Sequence, residues 1–170
     1  MACKCFQTTP SMVNKSLAER MECCKCRCSA RFSVEEKGKT FFLKDAAIEE
    51  TEKYKIDGGV IYGTQTNKCD FLFVYQNKRY IFVELKGTDV KHAFTQIDAT
   101  LCTLYNAHLL DVQHELRCCI VFSTYPKDNG TVRKLQNEMV QKWKNKVSGQ
   151  KFFLKKIRMV YSVKTDNTIG

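Results

Sequence analysis

Proline is nearly absent from this chain: Pro10 and Pro126 are the only two in 170 residues, beside one tryptophan and three histidines. With so little proline and no low-complexity tract, an ordered domain is expected away from the ends. No stretch approaches the ~20 apolar residues of a membrane-spanning helix, and no apolar secretory signal opens the chain. Membrane insertion and general export are therefore not expected, and a cytoplasmic setting is. His92 is read as solvent-facing, and His108 and His114 lack the spacing of a metal pair. Acidic residues run out late: residues 117–170 hold 12 Lys/Arg against 3 Asp/Glu and so carry +9 of the formal net charge of +10. A basic segment of that size points to a polyanionic partner, and phosphate backbones are the commonest one.

Cysteine, by contrast, is plentiful. Six of the ten (Cys3, Cys5, Cys23, Cys24, Cys26 and Cys28) crowd the first 28 residues. In a reducing compartment they read as free thiols. The alternative is that the C-x-C pairs Cys3/Cys5 and Cys26/Cys28 hold one structural Zn²⁺, although such sites more often use C-x2-C. The length suits one domain with a sizeable core. The expected division is a Cys-rich extension over 1–30 and a single domain over 31–170. The extension carries one short helix from about Ser11 to Met21, with Met12, Leu17 and Met21 toward the body.

Along the domain, RFSVEEKGKTFFLK reads as two short extended pieces around Lys37-Gly38-Lys39. A helix through DAAIEETEK, capped by Asp45, is an equally good reading of the adjoining segment. YKIDGGVIYGT breaks at Asp57-Gly58-Gly59, which reads first as a turn and second as a way for Asp57 to reach a neighbouring site. CDFLFVY (69–75) and RYIFVEL (79–85) form a hairpin, and both are apolar on both faces, so layers should cover the sheet on each side. Residues 89–108 repeat apolar positions with helical spacing, 117–124 form a buried strand, 131–146 a basic amphipathic helix and 155–163 a last strand. The order β-β-β-α-β-α-β gives an α/β domain with a mixed sheet.

The strand YIFVELKG ends with Glu84 and Lys86 on one face, about 7 Å apart along the strand. What lies across from Glu84 depends on the hairpin loop. A three-residue loop, Gln76-Asn77-Lys78, opposes Glu84 to Asp70; a two-residue loop opposes Asp70 to Leu85 and parts the charges. In the first register two carboxylates sit close enough to repel unless a cation lies between them. Hard oxygen donors of that kind suit Mg²⁺ or Mn²⁺, with water and phosphate oxygens completing the shell. Lys86 can then orient an attacking water or offset charge developing at phosphorus.

Asp70, thirteen intervening residues and Glu84-Leu85-Lys86 resemble the D-x(n)-(D/E)-x-K motif of the PD-(D/E)XK nucleases, the restriction-endonuclease-like superfamily. The apolar strand running into ELK, the hairpin and the helix after it match as well, over about residues 45–125; Cys69 stands where the motif name has proline. The resemblance implies a restriction-endonuclease-like core, a central mixed β-sheet flanked by helices. It makes Asp70 and Glu84 metal ligands and Lys86 the catalytic lysine. Many members add a glutamate from a helix before the sheet; of Glu49, Glu50 and Glu52, the expected ligand is Glu50. Some branches carry a glutamine on the following helix, a place Gln96 fills, with Thr100 where a Q-x3-Y form has tyrosine.

The resulting expectation is a Mg²⁺- or Mn²⁺-dependent endonuclease acting on nucleic acid, DNA ahead of RNA, in defence, repair or recombination. Lys127, Arg133, Lys134, Lys142, Lys144 and Lys146 would line a groove that tracks the backbone. Trp143, with Met139 and Val140 nearby, reads as the anchor of its helix. So small a chain leaves little room for sequence reading, so specificity would come from nucleic-acid structure, a homodimer or a partner protein. A non-cleaving nucleic-acid-binding or regulatory module on the same fold is the alternative.

Overall fold

The computed structural model describes residues 14–26, 32–63, 67–124 and 129–169. Its elements run α1 (Leu17–Cys24), β1 (Lys25–Cys26), β2 (Ser33–Glu36), β3 (Lys39–Lys44), β4 (Thr51–Lys55), β5 (Phe71–Tyr75) and β6 (Arg79–Lys86). They continue with α2 (Val90–Asn106), β7 (Glu115–Phe122), α3 (Asn129–Trp143), β8 (Ser148–Lys156), β9 (Arg158–Ser162) and β10 (Asn167–Ile169). This is an α/β protein built on a mixed sheet flanked by helices. Six strands lie in the order β1-β4-β5-β6-β7-β8, antiparallel as far as β6 and parallel from β6 to β8.

The sheet is covered on both faces, as its doubly apolar strands require. On one side Phe82, Cys118 and Ile120 pack with Phe94, Ile97 and Leu101 of α2 and with Met139 and Trp143 of α3. On the other side Ile81, Val83, Leu85 and Val121 pack with Phe41, Leu43, Met159 and Tyr161. The second cover is therefore a sheet, in the order β10-β9-β3-β2, and the described helices share the opposite face. Each large apolar side chain so buried contributes about 1.5–3 kcal/mol.

Several local expectations need correction. The first helix starts later than Ser11, at Leu17, because Ser16 and Glu19 close a reciprocal capping box there; Met12 lies outside the described residues. No helix forms through DAAIEETEK. Asp45 takes a left-handed φ of 61° and accepts a hydrogen bond from Ser162 Oγ at 2.5 Å, which ends β3. TEKYK then pairs along β5, with Thr51 opposite Tyr75 and Lys55 opposite Phe71, so tertiary pairing overrides the acidic helix signal. The expected last strand is two. Ile157, at φ 63°, turns the chain from β8 into β9, which leaves the main sheet for the second one.

Residues 14–26 join this architecture, since β1 extends the sheet edge against β4 and Met21, Cys24 and Cys26 are buried. Cys23 and Cys24 are free thiols, as are Cys69, Cys102, Cys118 and Cys119. Cys3, Cys5 and Cys28 lie outside the described residues, and with them the alternative of a zinc site on Cys3/Cys5 and Cys26/Cys28. No helix among the described residues is long and apolar enough to cross a membrane.

At the end of the sheet where β6 begins, a buried ion cluster ties the layers together. Arg117, only 3% exposed, grips Asp166 with two nitrogens at 2.6 and 2.8 Å and reaches Glu115 at 3.0 Å. Arg79 bridges Glu115 at 3.0 Å and the Val163 carbonyl at 2.8 Å. This cluster fills that end, and Glu84 and Lys86 stand toward the opposite one, where the parallel strands finish. Ligands of open α/β sheets commonly bind outside those carboxyl ends.

Candidate active site

The hairpin takes the three-residue loop. Phe71 pairs with Val83 and Tyr75 with Arg79, while Gln76 and Asn77 adopt left-handed φ values of 52° and 51°. Continued by one pair, that register sets Asp70 opposite Glu84. Asp70 is held there from three sides: its carbonyl accepts from Ile56 N at 2.9 Å, its Oδ2 accepts from Leu85 N at 2.7 Å, and the neighbouring Cys69 N donates to Thr100 Oγ1 at 2.9 Å.

Glu84 is 2% exposed, and among the described residues its buried Oε2 has no hydrogen-bond partner. Burial first, then the charge of Asp70, pushes the Glu84 carboxyl up to about 9 against the partial relief of Lys86. Asp70 rises to about 6, again mainly through burial, with Glu36 and Asp57 adding to the effect and the Leu85 N–H and Lys86 opposing it. Two acids that resist ionising side by side form a site short of positive charge.

Lys86 supplies part of that charge. Its Nζ lies 3.9 Å from Glu84 Oε1 and donates to Gln96 Oε1 at 2.6 Å. Gln96 in turn donates from Nε2 to the Lys68 carbonyl at 2.9 Å. One side chain of α2 thus fixes both the lysine and the segment that delivers Asp70. Thr100, one turn on, donates to the Gln96 carbonyl at 2.8 Å while accepting from Cys69. The residue standing in the tyrosine position therefore braces the site instead of entering it. Cys69 is fully buried, and burial holds its thiol well above the ordinary range, which removes it as a nucleophile.

Asp70, Glu84, Lys86 and Gln96 are brought together; Glu50 is not. Its carboxylate accepts from Gln76 Nε2 at 2.8 Å and from Tyr75 OH at 3.3 Å, at the loop end of the hairpin. It cannot share a metal with Asp70 from there, because its segment is the turn leading into β4 and not the helix that was one of two equal readings. The carboxylates whose charge is felt at Asp70 are instead Glu36, from the tip of the β2–β3 hairpin, and Asp57, from the turn after β4. Asp57 pairs with Lys68 at 3.4 Å. That turn needs glycine: a Cβ on Gly59 would stand 2.2 Å from the Lys55 carbonyl oxygen. Glu36 had no signal in motif spacing, since its approach depends on how the second sheet crosses the first.

The basic residues divide. Lys127 lies outside the described residues. Arg133 and Lys134 are exposed in the first half of α3, the half nearer the site. Lys144 and Lys146 follow α3 toward the end of the sheet opposite Lys86, because α3 leads into Ser148, which pairs with Glu115, whereas the side chain of Lys142 reaches α2 only two residues from Gln96. Lys142 pairs there with Asp98 at 2.6 Å, and Lys146 sits over the Trp143 ring at 5.0 Å. Trp143 is 1% exposed and is the anchor it was expected to be.

Comparison with protein-family models, with curated proteins and with solved structures gives no significant match.

Among the described residues no three His, Cys, Asp or Glu side chains form a ready-made cage for a metal. A two-carboxylate site is still chemically apt for Mg²⁺ or Mn²⁺, which commonly take one or two protein carboxylates and keep water and phosphate oxygens. The orphaned Glu84 oxygen beside Asp70 is the feature that fits such an ion.

Proposed function

We propose that the chain is a Mg²⁺- or Mn²⁺-dependent nuclease with a restriction-endonuclease-like core, hydrolysing phosphodiester bonds of nucleic acid, with DNA as the expected substrate. The observation that carries this reading is the buried, unpartnered Glu84 Oε2 beside Asp70, with Lys86 held on the same side by Gln96. The strand order from β4 to β7 and the helix after Lys86 support it.

Asp70 and Glu84 would hold the metal, which when bound supplies an activated water and polarises the phosphoryl oxygens. Lys86 supplies a positive charge next to the position where negative charge builds on the phosphoryl group. Gln96 keeps that ammonium from collapsing onto Glu84. Thr100 and the Leu85 N–H fix the loop and carboxylate of Asp70, so the donors are set before substrate arrives.

Thermal unfolding with and without Mg²⁺ or Mn²⁺ tests the metal site directly, because an ion that binds only the native state raises its stability. Wild type should gain stability with metal, and Asp70→Ala/Glu84→Ala should not. Stabilisation by metal without cleavage of any nucleic acid would favour the non-cleaving module.

A further inference from the structure

Lys39 opens β3 with its side chain directed, like those of Phe41 and Leu43, between the two sheets, and it is 4% exposed. An ammonium has three protons to donate, and burying its charge is costly unless an anion answers it. Here Nζ meets two neutral acceptors, the Lys37 carbonyl at 3.2 Å and Ser123 Oγ at 3.4 Å. Among the described residues no carboxylate lies within ion-pair distance of it. Glu36, its cross-strand neighbour, is paired with Lys37 at 3.3 Å instead, whereas the similarly buried Lys68 has Asp57.

The position of Ser123 gives this buried charge a direction. Ser123 comes directly after β7, is exposed, and donates its N–H to the carbonyls of Lys86 at 3.1 Å and Gly87 at 2.9 Å. Lys39 is thus joined through one residue, Ser123, whose hydroxyl accepts from it and whose N–H donates to the backbone that carries Lys86. Both of its bonds are long enough to be exchanged for a stronger, charged acceptor. Two exposed cations, Lys156 at the end of β8 and Arg158 at the start of β9, stand on the same end of the sheet, paired with Phe122 and Thr40.

We propose that Lys39 and Ser123 form a phosphate subsite that takes the nucleic-acid phosphate next to the one at Asp70 and Glu84, with Lys156 and Arg158 continuing the path. This rests on the nuclease reading and names where its substrate backbone runs: over the end of the β2–β3 and β8–β9 crossover, rather than along the second half of α3.

The test uses the full chain with Mg²⁺ or Mn²⁺ and two duplexes, one ordinary and one in which neutral methylphosphonates flank a central phosphodiester. Wild type should lose about tenfold in kcat/KM at that bond on the neutralised duplex, mostly in KM. Lys39→Met should lose a similar factor on ordinary duplex and be indifferent to the neutral linkages, and Lys39→Arg should keep most of the wild-type rate. A wild type that cuts both duplexes equally, or a Lys39→Met with wild-type KM, overturns the subsite while leaving the nuclease reading intact. If Lys39→Met does not fold, Ser123→Asp places a carboxylate at the same point and should weaken duplex binding; unchanged affinity overturns the proposal. If wild type cuts nothing, the nuclease reading is what fails, and the subsite is decided by duplex binding alone: unchanged affinity in both variants overturns it, weakened affinity in both supports it.

Discussion

Lys86 Nζ and Gln96 Oε1 are 2.6 Å apart, so the position of the ammonium is set by an amide on the next helix and not by Glu84, which is 3.9 Å away. An interaction that orients a charge needed only during reaction is lost in kcat more than in KM. Gln96→Ala is expected to lower kcat by about 10- to 100-fold with a small change in KM, read from steady-state cleavage. A variant that loses only affinity would contradict this assignment.

Thr100→Val should act differently. It leaves the buried Cys69 N–H without its 2.9 Å acceptor, which costs about 1–3 kcal/mol. Chemical denaturation should show the loss, and cleavage should fall as well because Asp70 is the next residue along the chain.

The two carboxyls give a signed pH dependence. In the folded chain Asp70 titrates at about 6 and Glu84 at about 9, both above their ordinary range through burial. The native state therefore keeps protons that the unfolded chain has already released. The pair's contribution to metal-free stability should be fully present below the unfolded values near pH 4 and be lost as pH rises through 6 and toward 9, opposite in sign to that of Asp166, which is lost as pH falls. Glu84→Gln removes the larger part of this, so without metal it should exceed wild type by a few kcal/mol at pH 8, with the difference fading by pH 5. Metal binding demands the ionised forms, so wild-type affinity should rise over the same range with release of protons, measurable by calorimetry in buffers of different ionisation enthalpy. A flat profile would remove the account of the pair.

Glu36 and Glu50 separate two pictures of the site. Glu50→Ala should leave the cleavage rate unchanged, since its carboxylate serves Gln76 and Tyr75. Glu36→Gln removes a negative charge that raises both Asp70 and Glu84. The acidic limb of the pH–rate profile should then move to lower pH. A large loss from Glu50→Ala would restore it to the metal site.

At the other end of the sheet, Asp166 is partly buried, which opposes ionisation, yet Arg117, Lys151 and Tyr161 hold its carboxyl well below the usual range. Asp166→Ala leaves Arg117 buried with Glu115 as its remaining carboxylate and should cost about 3 kcal/mol in denaturant unfolding. Cleavage below the melting temperature should be untouched.

Much of this site is written in short-range pattern. The alternation of YIFVELKG places Glu84 and Lys86 on one face, and the three-residue loop brings Asp70 opposite, so hairpin geometry alone assembles the core of the site. Gln96 comes from the helical period of α2. The rest depends on contacts distant in sequence. Glu50 sits in a stretch with helical charge pattern that becomes turn and strand because β5 offers it a partner, and Lys144 and Lys146 look like part of a groove until β8 shows which end of the sheet α3 reaches. Nothing in KGKT marks Lys39; only the packing of the second sheet buries it beside Ser123.

The most direct test is a single comparison: supercoiled plasmid, linear duplex, single-stranded DNA and RNA incubated with Mg²⁺ or Mn²⁺ and either wild type or Lys86→Ala. The account predicts metal-dependent cutting by wild type, of DNA first, and its loss by a factor of at least about 10² in Lys86→Ala with the fold intact. Cutting that survives in Lys86→Ala, or a folded, metal-bound wild type that cuts none of the four, would contradict it.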